Sequence, residues 1–169
     1  MRVSVRLKPQ TPNATIARMS PSHLLQVPFR RLVPNAGTPE RAHPGDAGYD
    51  LRSIEEAELP PGGRVLVRTG ISVAIPEGYA GLVLPRSGLA VRHGISLVNT
   101  PGLIDSGYRG EIQIPLINHD RRETFRIEEG ARIAQLVLVQ AATALFSEVE
   151  FLDAATDGRG EGGFGSSGA

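Results

Sequence analysis

Residues 64–75 read RVLVRTGISVAI, and the alternation within this stretch decides the fold class. Apolar or β-branched side chains occupy every second position from Val65 to Ile75, and most of the positions between them are polar or small. A period of two over this length is typical of a β-strand with one buried face. The stretch therefore predicts one strand with a mostly polar outer face.

Further strands are predicted from apolar runs that glycine and proline punctuate. These runs cover residues 79–84, 95–98, 112–117 and 133–139. The last run is apolar on both faces, as for a strand buried on both sides. The only strong helical pattern is short, from Ser87, placed as a capping residue, to His93, with Gly94 just past its end. No helical pattern is long enough for crossovers between parallel strands, so an all-β sandwich or barrel is predicted.

The composition narrows the classes of function. The 169 residues carry equal numbers of acidic and basic side chains, so no net field draws the chain to nucleic acid or an acidic membrane. Cysteine is absent, which excludes disulfides and thiolate catalysis, and Lys8 is the only lysine. No apolar run approaches the roughly 20 residues that span a bilayer. We therefore expect a cytoplasmic protein that binds neither nucleic acid nor membrane.

Three parts of the chain differ in composition. Residues 1–26 lack periodicity and are rich in Pro, Ser and Thr, so they are predicted to be a mobile extension, with Met19 as an alternative start. Residues 27–156 are long enough to form one domain with its own core. Residues 157–169 are rich in glycine and contain one large apolar side chain, Phe164. This tail is either a solvated segment or an arm that orders on a ligand.

The segment VNTPGLIDSGYRGEI, residues 98–112, carries the first functional pattern. Its glycines and proline are turn-forming residues between two apolar runs, so a β-hairpin is predicted whose glycines let the backbone approach a ligand. Asp105 and Tyr108 lie on this hairpin. A carboxylate three residues from an aromatic ring can activate water and pack on a ligand ring, and an ordinary surface hairpin is the alternative.

Three other segments combine charge with turn chemistry. PRSGLA, residues 85–90, places an arginine, a hydroxyl and a glycine where a strand meets a helix, and the free N–H groups of a first helical turn suit phosphate. AGYDL, residues 47–51, puts a carboxylate after a glycine turn. GARIAQ, residues 130–135, brings Arg132 and Gln135 to the mouth of an apolar strand, where they need partners. The structural alternatives are a capped surface helix, an aspartate at a strand start, and a β-bulge or structural hydrogen bond.

The tail is the least ambiguous segment. RGEGGFGSSG, residues 159–168, contains an arginine and a lone phenylalanine among glycines. A passive linker requires neither of these side chains. A closing flap uses the glycines for reach, Arg159 for an anion and Phe164 to stack on a ring.

Taken in order, AGYDL, PRSGLA, GLIDSGYRGEI, GARIAQL and RGEGGFGSSG resemble the five motifs of the trimeric dUTPases. The match covers about residues 28–168, in the family's order and spacing. The resemblance implies a distorted β-barrel or jelly-roll-like domain of the β-clip type over residues 27–156, with one short helix. It also implies that residues 157–169 form a flexible arm that closes over the active site. Three chains are expected to form a homotrimer with shared active sites.

The resemblance further implies a reaction and a role for each site residue. Asp105 would activate a water that attacks the α-phosphorus of dUTP. The products are dUMP and pyrophosphate, and the reaction limits uracil in DNA and supplies dUMP for thymidylate synthesis. Uracil would be read around Asn99, Leu103, Ile104 and Gln113, and the deoxyribose would pack on Tyr108. The phosphates would be held by Arg86, Ser87, Gly88 and Gln135, and the arm would supply Arg159, Phe164, Gly165 and Ser166.

Magnesium is implied as the cofactor. In this family Mg²⁺ is bound mainly by triphosphate oxygens and water, in keeping with the ion's preference for octahedral oxygen ligands. Asp50 is then an outer-shell partner that acts through water. Arg132 is expected to be an internal partner rather than a phosphate ligand.

Alternative functions make different demands on the sequence. A dCTP deaminase of related fold has a glutamate beyond the hairpin aspartate, and the corresponding position here is Pro115, which cannot act as an acid or base. A catalytically silent, nucleotide-binding regulator is favoured by loss of Asp105, Tyr108 or the arm, and all three are present. A structural jelly-roll protein explains the strands but not the five segments.

Overall fold

The computed structural model describes residues 24–153, which form eleven strands and one helix. The elements are β1 (Phe29–Arg31), β2 (Tyr49–Arg52), β3 (Ala57–Leu59), β4 (Arg64–Arg68), β5 (Ile71–Val73), β6 (Tyr79–Leu84), α1 (Ser87–His93), β7 (Ile95–Leu97), β8 (Gly102–Ile104), β9 (Gln113–Asn118), β10 (Phe125–Ile127) and β11 (Arg132–Gln140). The predicted all-β fold with one short helix is confirmed. Most of the predicted extension and the whole predicted arm lie outside the described residues, so the domain boundaries stay predictions.

The described strands divide among four antiparallel sheets. The largest has the order β2-β11-β6-β8, and a second has the order β4-β9-β7. Two-stranded sheets join β1 to β5 and β3 to β10. The strands of this part of the chain therefore form a distorted assembly of small sheets rather than one closed barrel.

β11 lies between two neighbours in the largest sheet, as its two apolar faces predict. Its most buried side chains are Ile133, Ala134 and Leu136. The pairing with β2 shifts register between Arg132 and Ala134, which produces a bulge at the mouth of the strand. Gln135 is in register with Asp50 on β2 and with Leu84 on β6. These three positions therefore form one row across the sheet.

One hydrophobic cluster fills the space between the sheets. Its most deeply buried members are Leu59, Val67, Ile114, Leu116 and Ala134. Burying a large apolar side chain stabilises the fold by about 1.5–3 kcal/mol relative to leaving it in water. The buried Asn118 amide donates to the carbonyl oxygens of Leu59 at 3.0 Å and Glu123 at 2.8 Å. Its burial is therefore matched by hydrogen bonds.

The stretch of residues 64–75 is not the single strand that its alternation predicts. It forms β4 and β5, which pair with different partners, β9 and β1. The break falls at Gly70, whose φ is 67°. A β-carbon there would lie 2.7 Å from Val33 Cγ2 and 2.9 Å from the Ala36 β-carbon. The prediction was wrong because close packing and a left-handed backbone at this glycine end the strand.

The segment of residues 98–112 differs from the predicted hairpin as well. β7 and β9 do pair antiparallel across it, from Ile95 opposite Asn118 to Leu97 opposite Leu116. The connection between them is not a turn, however, because it contains β8, which pairs with β6 in the other sheet. Residues 98–112 therefore connect the two larger sheets.

The helix α1 has the predicted bounds but a different N-terminal cap. Arg86 occupies the capping position in extended conformation, and no side chain there caps the helix, so the expectation for Ser87 was wrong. At the other end Gly94 is left-handed, and its N–H donates to the Ala90 carbonyl, as a terminal glycine predicts. No helix within residues 24–153 has the length and apolar character needed to cross a membrane.

Candidate active site

A cavity of about 410 Å³ opens beside the segment that joins β8 to β9. Its lining residues are Leu103, Ile104, Asp105, Tyr108, Glu111, Ile112 and Gln113. Five of these seven were predicted as site residues, and Glu111 and Ile112 were not. The structure therefore brings together one half of the predicted site.

Asp105 follows directly after β8 and is exposed at this cavity. Its carbonyl accepts the Tyr108 N–H at 3.1 Å, which closes a short turn. Its carboxylate forms no salt bridge or hydrogen bond with the other residues in the 24–153 range. A carboxylate in this state is available to bind a water and to accept its proton.

Tyr108 is held across the backbone of Gly110. Its hydroxyl donates to the Glu111 carbonyl at 2.9 Å, and about 43% of the residue is exposed. A β-carbon at Gly110 would lie 2.6 Å from the Tyr108 Cζ atom, closer than real β-carbons approach. The hydroxyl end of the Tyr108 ring therefore packs against Gly110, and the partly exposed ring lies at the cavity.

The loop of residues 105–112 is fastened to the break between β4 and β5. The Thr69 hydroxyl donates to the Ile112 carbonyl at 2.5 Å. The Ser72 hydroxyl donates to the Arg109 carbonyl at 2.7 Å. The Ile112 N–H donates to the Ile71 carbonyl at 2.9 Å. The interrupted strand thus positions the loop, and the lone Gly70 in an alternating pattern was the sequence signal for this close approach.

Glu111 is the charged group of the cavity wall that lies beside this break. Its side chain is 11% exposed and accepts hydrogen bonds from the Gly70 N–H at 2.8 Å, Arg68 Nε at 3.1 Å and Gln113 Nε2 at 3.4 Å. Burial by itself raises the pKa of Glu111, but these hydrogen bonds and the charge of Arg68 together hold the pKa below its ordinary value. Glu111 is therefore a carboxylate at neutral pH.

A second cluster surrounds Asp50, whose side chain is only 6% exposed. Arg132 Nη1 lies 3.1 Å from Asp50 Oδ2, and Arg86 Nε lies 3.2 Å from Asp50 Oδ1. The second contact has ion-pair distance without hydrogen-bond orientation, so both of its buried atoms lack a hydrogen bond within the described residues. Arg86 Nη1 also donates to the Arg132 carbonyl at 3.1 Å. The internal partner expected for Arg132 is Asp50.

The other predicted phosphate ligands lie near this cluster in the chain or the sheet. Ser87 is exposed at the first turn of α1, directly after Arg86. Gln135 lies in the same row of the sheet as Asp50, and its side chain packs against Gly48, where a β-carbon would lie 3.2 Å from Gln135 Cδ. The structure thus gathers a second half of the predicted site.

The two halves lie at opposite ends of β6. Ile104 pairs with Gly81, so Asp105 lies level with Ala80. Arg86 follows the other end of β6 in extended conformation. At about 3.3 Å per residue, the chain from Ala80 to Arg86 spans roughly 20 Å. A single chain therefore does not bring Asp105 and Arg86 to one point.

Some predicted residues fall in neither half. Asn99 is exposed and lies beside Gly102, where a β-carbon would be 3.3 Å from its Nδ2 atom, but Asn99 does not line the cavity. The predicted ligands in the tail lie outside the described residues: Arg159, Phe164, Gly165 and Ser166.

The side chains of residues 24–153 do not form a metal site by themselves. No group of three or more His, Asp or Glu residues is arranged to hold an ion in this range. The contacts of the Asp50 carboxylate are to two arginines. The outer-shell role expected for Asp50 stays a prediction.

Comparisons with known proteins give the family. A family model described as dUTPase matches residues 35–168. The deoxyuridine 5'-triphosphate nucleotidohydrolase of Nocardia farcinica is 55% identical over 147 residues, which cover 87% of this chain and 88% of that protein. The protein of the same name from Thermobifida fusca is 49% identical over 157 residues, covering 92% and 87%. The chain belongs to the dUTPase family.

Solved structures with this fold agree with that assignment. The dUTPase of Staphylococcus bacteriophage 80alpha, with dUpNHpp, aligns with a TM-score of 0.78 and 34% identity over 85% of this chain and 99% of that chain. A mutant dUTPase from phage phi11 of S. aureus, in which a structural Mg(II) ion is coordinated, aligns with a TM-score of 0.70 and 32% identity over 75% and 97%. The predicted dUTPase-like fold is confirmed.

Proposed function

We propose that this chain is a dUTP diphosphatase, which hydrolyses dUTP to dUMP and pyrophosphate and so limits uracil in DNA and supplies dUMP for thymidylate synthesis. Membership of the dUTPase family and relatives near 50% identity over most of the chain support this reaction. The single observation that carries the mechanism is the Asp105 carboxylate, unpaired within residues 24–153, at a cavity of about 410 Å³. The cytoplasm expected from the sequence is the proposed compartment.

Asp105 is proposed as the general base. Its carboxylate accepts a proton from a water, and the oxygen of that water attacks the α-phosphorus as the bond to the bridging oxygen of pyrophosphate breaks. The exposed position of Asp105 and its lack of a cationic partner in the described part of the chain support this role, because a paired carboxylate is a weaker base. The short turn that it forms with Tyr108 keeps the base next to the sugar site.

The cavity is proposed to hold the uracil and the deoxyribose. The backbone of Leu103, Ile104 and Gln113, with Asn99 nearby, would read the base edge, and a tight fit there excludes the methyl group of thymine. Tyr108 would pack on the deoxyribose and exclude a 2′-hydroxyl. The support for this role is that Tyr108 lines the cavity, is 43% exposed, and is held by its hydroxyl and by packing against Gly110.

Arg86, Ser87, Gly88 and Gln135 are proposed to hold the phosphates. Arg86 supplies a guanidinium fork whose position is set by Asp50 and by the Arg132 carbonyl. The exposed Ser87 hydroxyl and the first-turn N–H groups follow it at the start of α1. In the tail, Arg159 is proposed to meet the γ-phosphate, and Phe164 with Gly165 and Ser166 is proposed to cover the base.

A homotrimer with shared active sites is proposed on two observations. First, Asp105 and Arg86 are about 20 Å apart along β6, whereas a general base must lie within hydrogen-bond reach of its water. One chain supplies the base end and another the phosphate end. Second, the segment after β11 leaves its large apolar side chains exposed: Leu145, Phe146, Val149, Phe151 and Leu152. Such apolar surface favours burial against another chain.

Light scattering tests the trimer at micromolar concentration. We expect three times the mass of the chain. A monomer with full activity would contradict the shared site, and the two halves would then have to meet by a rearrangement of β6.

Magnesium is proposed to arrive with the substrate. Within residues 24–153 the side chains do not form a cage for an ion, and Mg²⁺ favours phosphate oxygens and retained water. When bound, the ion neutralises phosphate charge. Asp50 is the described carboxylate proposed as its outer-shell partner, and its principal contacts are to Arg86 and Arg132.

The reaction is tested by pyrophosphate release from dUTP, dCTP, dTTP and UTP with Mg²⁺, with Asp105→Asn as the inactive control. We expect turnover of dUTP alone. Release of ammonia from dCTP would favour the deaminase alternative, although Pro115 here is a β9 residue whose carbonyl accepts the Val98 N–H. Binding of dUTP without turnover would favour a silent regulator.

A further inference from the structure

Glu111 is the loop side chain that links residues 105–112 to the break between β4 and β5, beside the hydroxyls that Thr69 and Ser72 donate to the loop backbone. Its Oε1 accepts the Gly70 N–H at 2.8 Å, and its Oε2 accepts Arg68 Nε at 3.1 Å. Two other polar side chains, those of Tyr108 and Arg109, make their hydrogen bonds within the loop itself. Tyr108 donates to the Glu111 carbonyl, and Arg109 donates to the carbonyls of Ser106 and Tyr108.

The partner of Glu111 on the strand side is rigid. Gly70 has a left-handed φ of 67° and no room for a β-carbon, which would lie only 2.7–3.0 Å from side-chain atoms of Val33, Ala36 and Ile54. This close packing holds the Gly70 N–H in place beside the loop. The hydrogen bond from the Gly70 N–H to Glu111 therefore attaches the loop of residues 105–112 to a segment that packs on the hydrophobic core.

The chemistry of a carboxylate fits the three donors that meet it. The Gly70 N–H, the Arg68 guanidinium and the Gln113 amide all donate, and an ionised carboxylate only accepts. The contact also turns the Gln113 amide so that its N–H group faces Glu111. A side chain with its own donors, such as glutamine, satisfies part of this set and opposes the rest.

We propose that Glu111 is a positioning residue for the hydrolysis: its carboxylate clamps the loop that carries Asp105 and Tyr108 to the break between β4 and β5. This inference rests on the proposed function, because the proposed function assigns the role of base to Asp105 and the contact with the sugar to Tyr108. Glu111 itself performs no proton transfer. It sets the distance between the base and the nucleotide.

Steady-state kinetics with dUTP and Mg²⁺ test the clamp in the full-length chain. We expect Glu111→Ala to lower kcat/KM by about 10²-fold, the scale of a 1 Å misplacement of a catalytic group. Both constants should change, with a lower kcat from a displaced Asp105 and a higher KM from a displaced Tyr108. Glu111→Gln should lose roughly 10-fold, because it keeps an acceptor for Gly70 but opposes the other two donors.

The matched control is Glu58→Ala. Glu58 pairs with Arg126 at 3.2 Å, nearly the same distance as the pair of Glu111 with Arg68, but both side chains are exposed and the pair lies away from the cavity. We expect unchanged kcat and KM. Thermal unfolding is measured for every variant, and Glu111→Gln decides the question if Glu111→Ala does not fold.

The outcomes separate the clamp from a general loss of folding. Folded Glu111 variants with kcat and KM within about twofold of the parent would overturn the proposal, which expects far larger losses. A lower kcat that matches the fraction of inactive protein, at unchanged KM, would also overturn it in favour of a purely structural role. Activity in Asp105→Asn would instead contradict the proposed function, whatever the Glu111 variants do.

Discussion

Two aspartates at opposite ends of β6 occupy opposite environments. Asp105 is exposed beside the cavity and has no cationic partner in the described residues. Asp50 is 6% exposed and lies between two guanidinium groups. The Asp50 carboxylate is occupied by its two arginines and shielded from solvent, whereas the Asp105 carboxylate is accessible to a water. Their environments therefore favour a catalytic role for Asp105 and a structural role for Asp50.

The largest expected effect separates the two carboxylates by activity. Asp105→Asn should lower turnover of dUTP by roughly two to four orders of magnitude, the usual range for a lost general base, and leave binding largely intact. Stopped-flow turnover and calorimetry with a non-hydrolysable dUTP analogue measure the two quantities. Thermal stability should stay the same, because Asp105 has no salt bridge or side-chain hydrogen bond within residues 24–153. Near-normal turnover would remove Asp105 from the mechanism.

The second prediction tests whether the two described halves of the site are sufficient for activity without the tail. Deleting residues from Gly158 onward should lower kcat/KM by roughly 10²-fold, the scale of one lost charge-stabilising group, because Arg159 and Phe164 are removed. The melting temperature should change little, since the deleted tail has one large apolar side chain. Proteolysis with and without the dUTP analogue and Mg²⁺ is the companion measurement. Unchanged kcat/KM together with no ligand-dependent protection would exclude both residues from the site.

The third prediction concerns the stability of the fold, whereas the first concerns turnover. Asp50→Asn should reduce the free energy of unfolding by about 1–3 kcal/mol, less than for a fully buried pair because Arg132 is partly exposed. Denaturant unfolding measures this loss, and KM for dUTP should rise as Arg86 loses its anchor. The exposed pair of Glu58 supplies the control, and Glu58→Gln should cost below about 1 kcal/mol. Equal losses in both variants would mean that burial of Asp50 is irrelevant.

A smaller effect concerns the packing of Tyr108 against Gly110. Gly110→Ala should raise KM for dUTP by roughly 10-fold and weaken rejection of UTP, because the new methyl group displaces the Tyr108 ring. Gly107→Ala is the matched control in the same loop, since a β-carbon there meets nothing within 4 Å. The ratio of kcat/KM for dUTP and UTP is the measured quantity. Equal ratios in the two variants would show that Tyr108 does not depend on Gly110.

The smallest effect is a dependence of stability on pH. The pKa of Glu111 is lowered in the folded protein below its ordinary value of 4.5, so the unfolded chain takes up the proton first on acidification. The stabilisation by Glu111 is therefore complete above that ordinary value and is lost as pH falls through the lowered pKa. Arg68 is the cationic side chain that faces Glu111 in the described structure.

Comparing Glu111→Gln with the parent isolates this dependence. The difference in unfolding free energy should be about 1 kcal/mol at pH 7, on the scale of one typical hydrogen bond, and should shrink in acid. Urea titrations at a series of pH values measure it. A difference that stays constant down to strongly acid pH would mean that the charge of Glu111 does not support the loop.

Local patterns predicted the elements that depend on local chemistry. The bounds of α1 and of β6 agree with the sequence, because a left-handed glycine ends the helix and an apolar run bounded by turns defines the strand. The motif residues around the cavity also lie together, since Leu103, Ile104 and Asp105 are consecutive in the chain. Contiguous residues need no long-range packing to become neighbours.

The misjudged regions depend on partners far away in the chain. The alternation of residues 64–75 continues through Gly70 and therefore hides the break, which packing from Val33 and Ala36 imposes. The predicted hairpin contains a strand that pairs with β6 rather than with its neighbour in sequence. Glu111 lies within the GLIDSGYRGEI motif, but the sequence did not indicate its role, because its partners Arg68 and Gly70 are some 40 positions earlier.

The sequence by itself determined the fold class, the short helix, the family and the residues that bear charge, because periodicity and motif spacing are properties of neighbouring positions. Within residues 24–153, tertiary structure alone decided which carboxylate has a partner and which has none. It placed Asp50 between two arginines, left Asp105 open, and separated the two by the length of β6. The physical reason is that burial and pairing depend on which distant segments meet, and the proton affinity of a carboxylate depends on both.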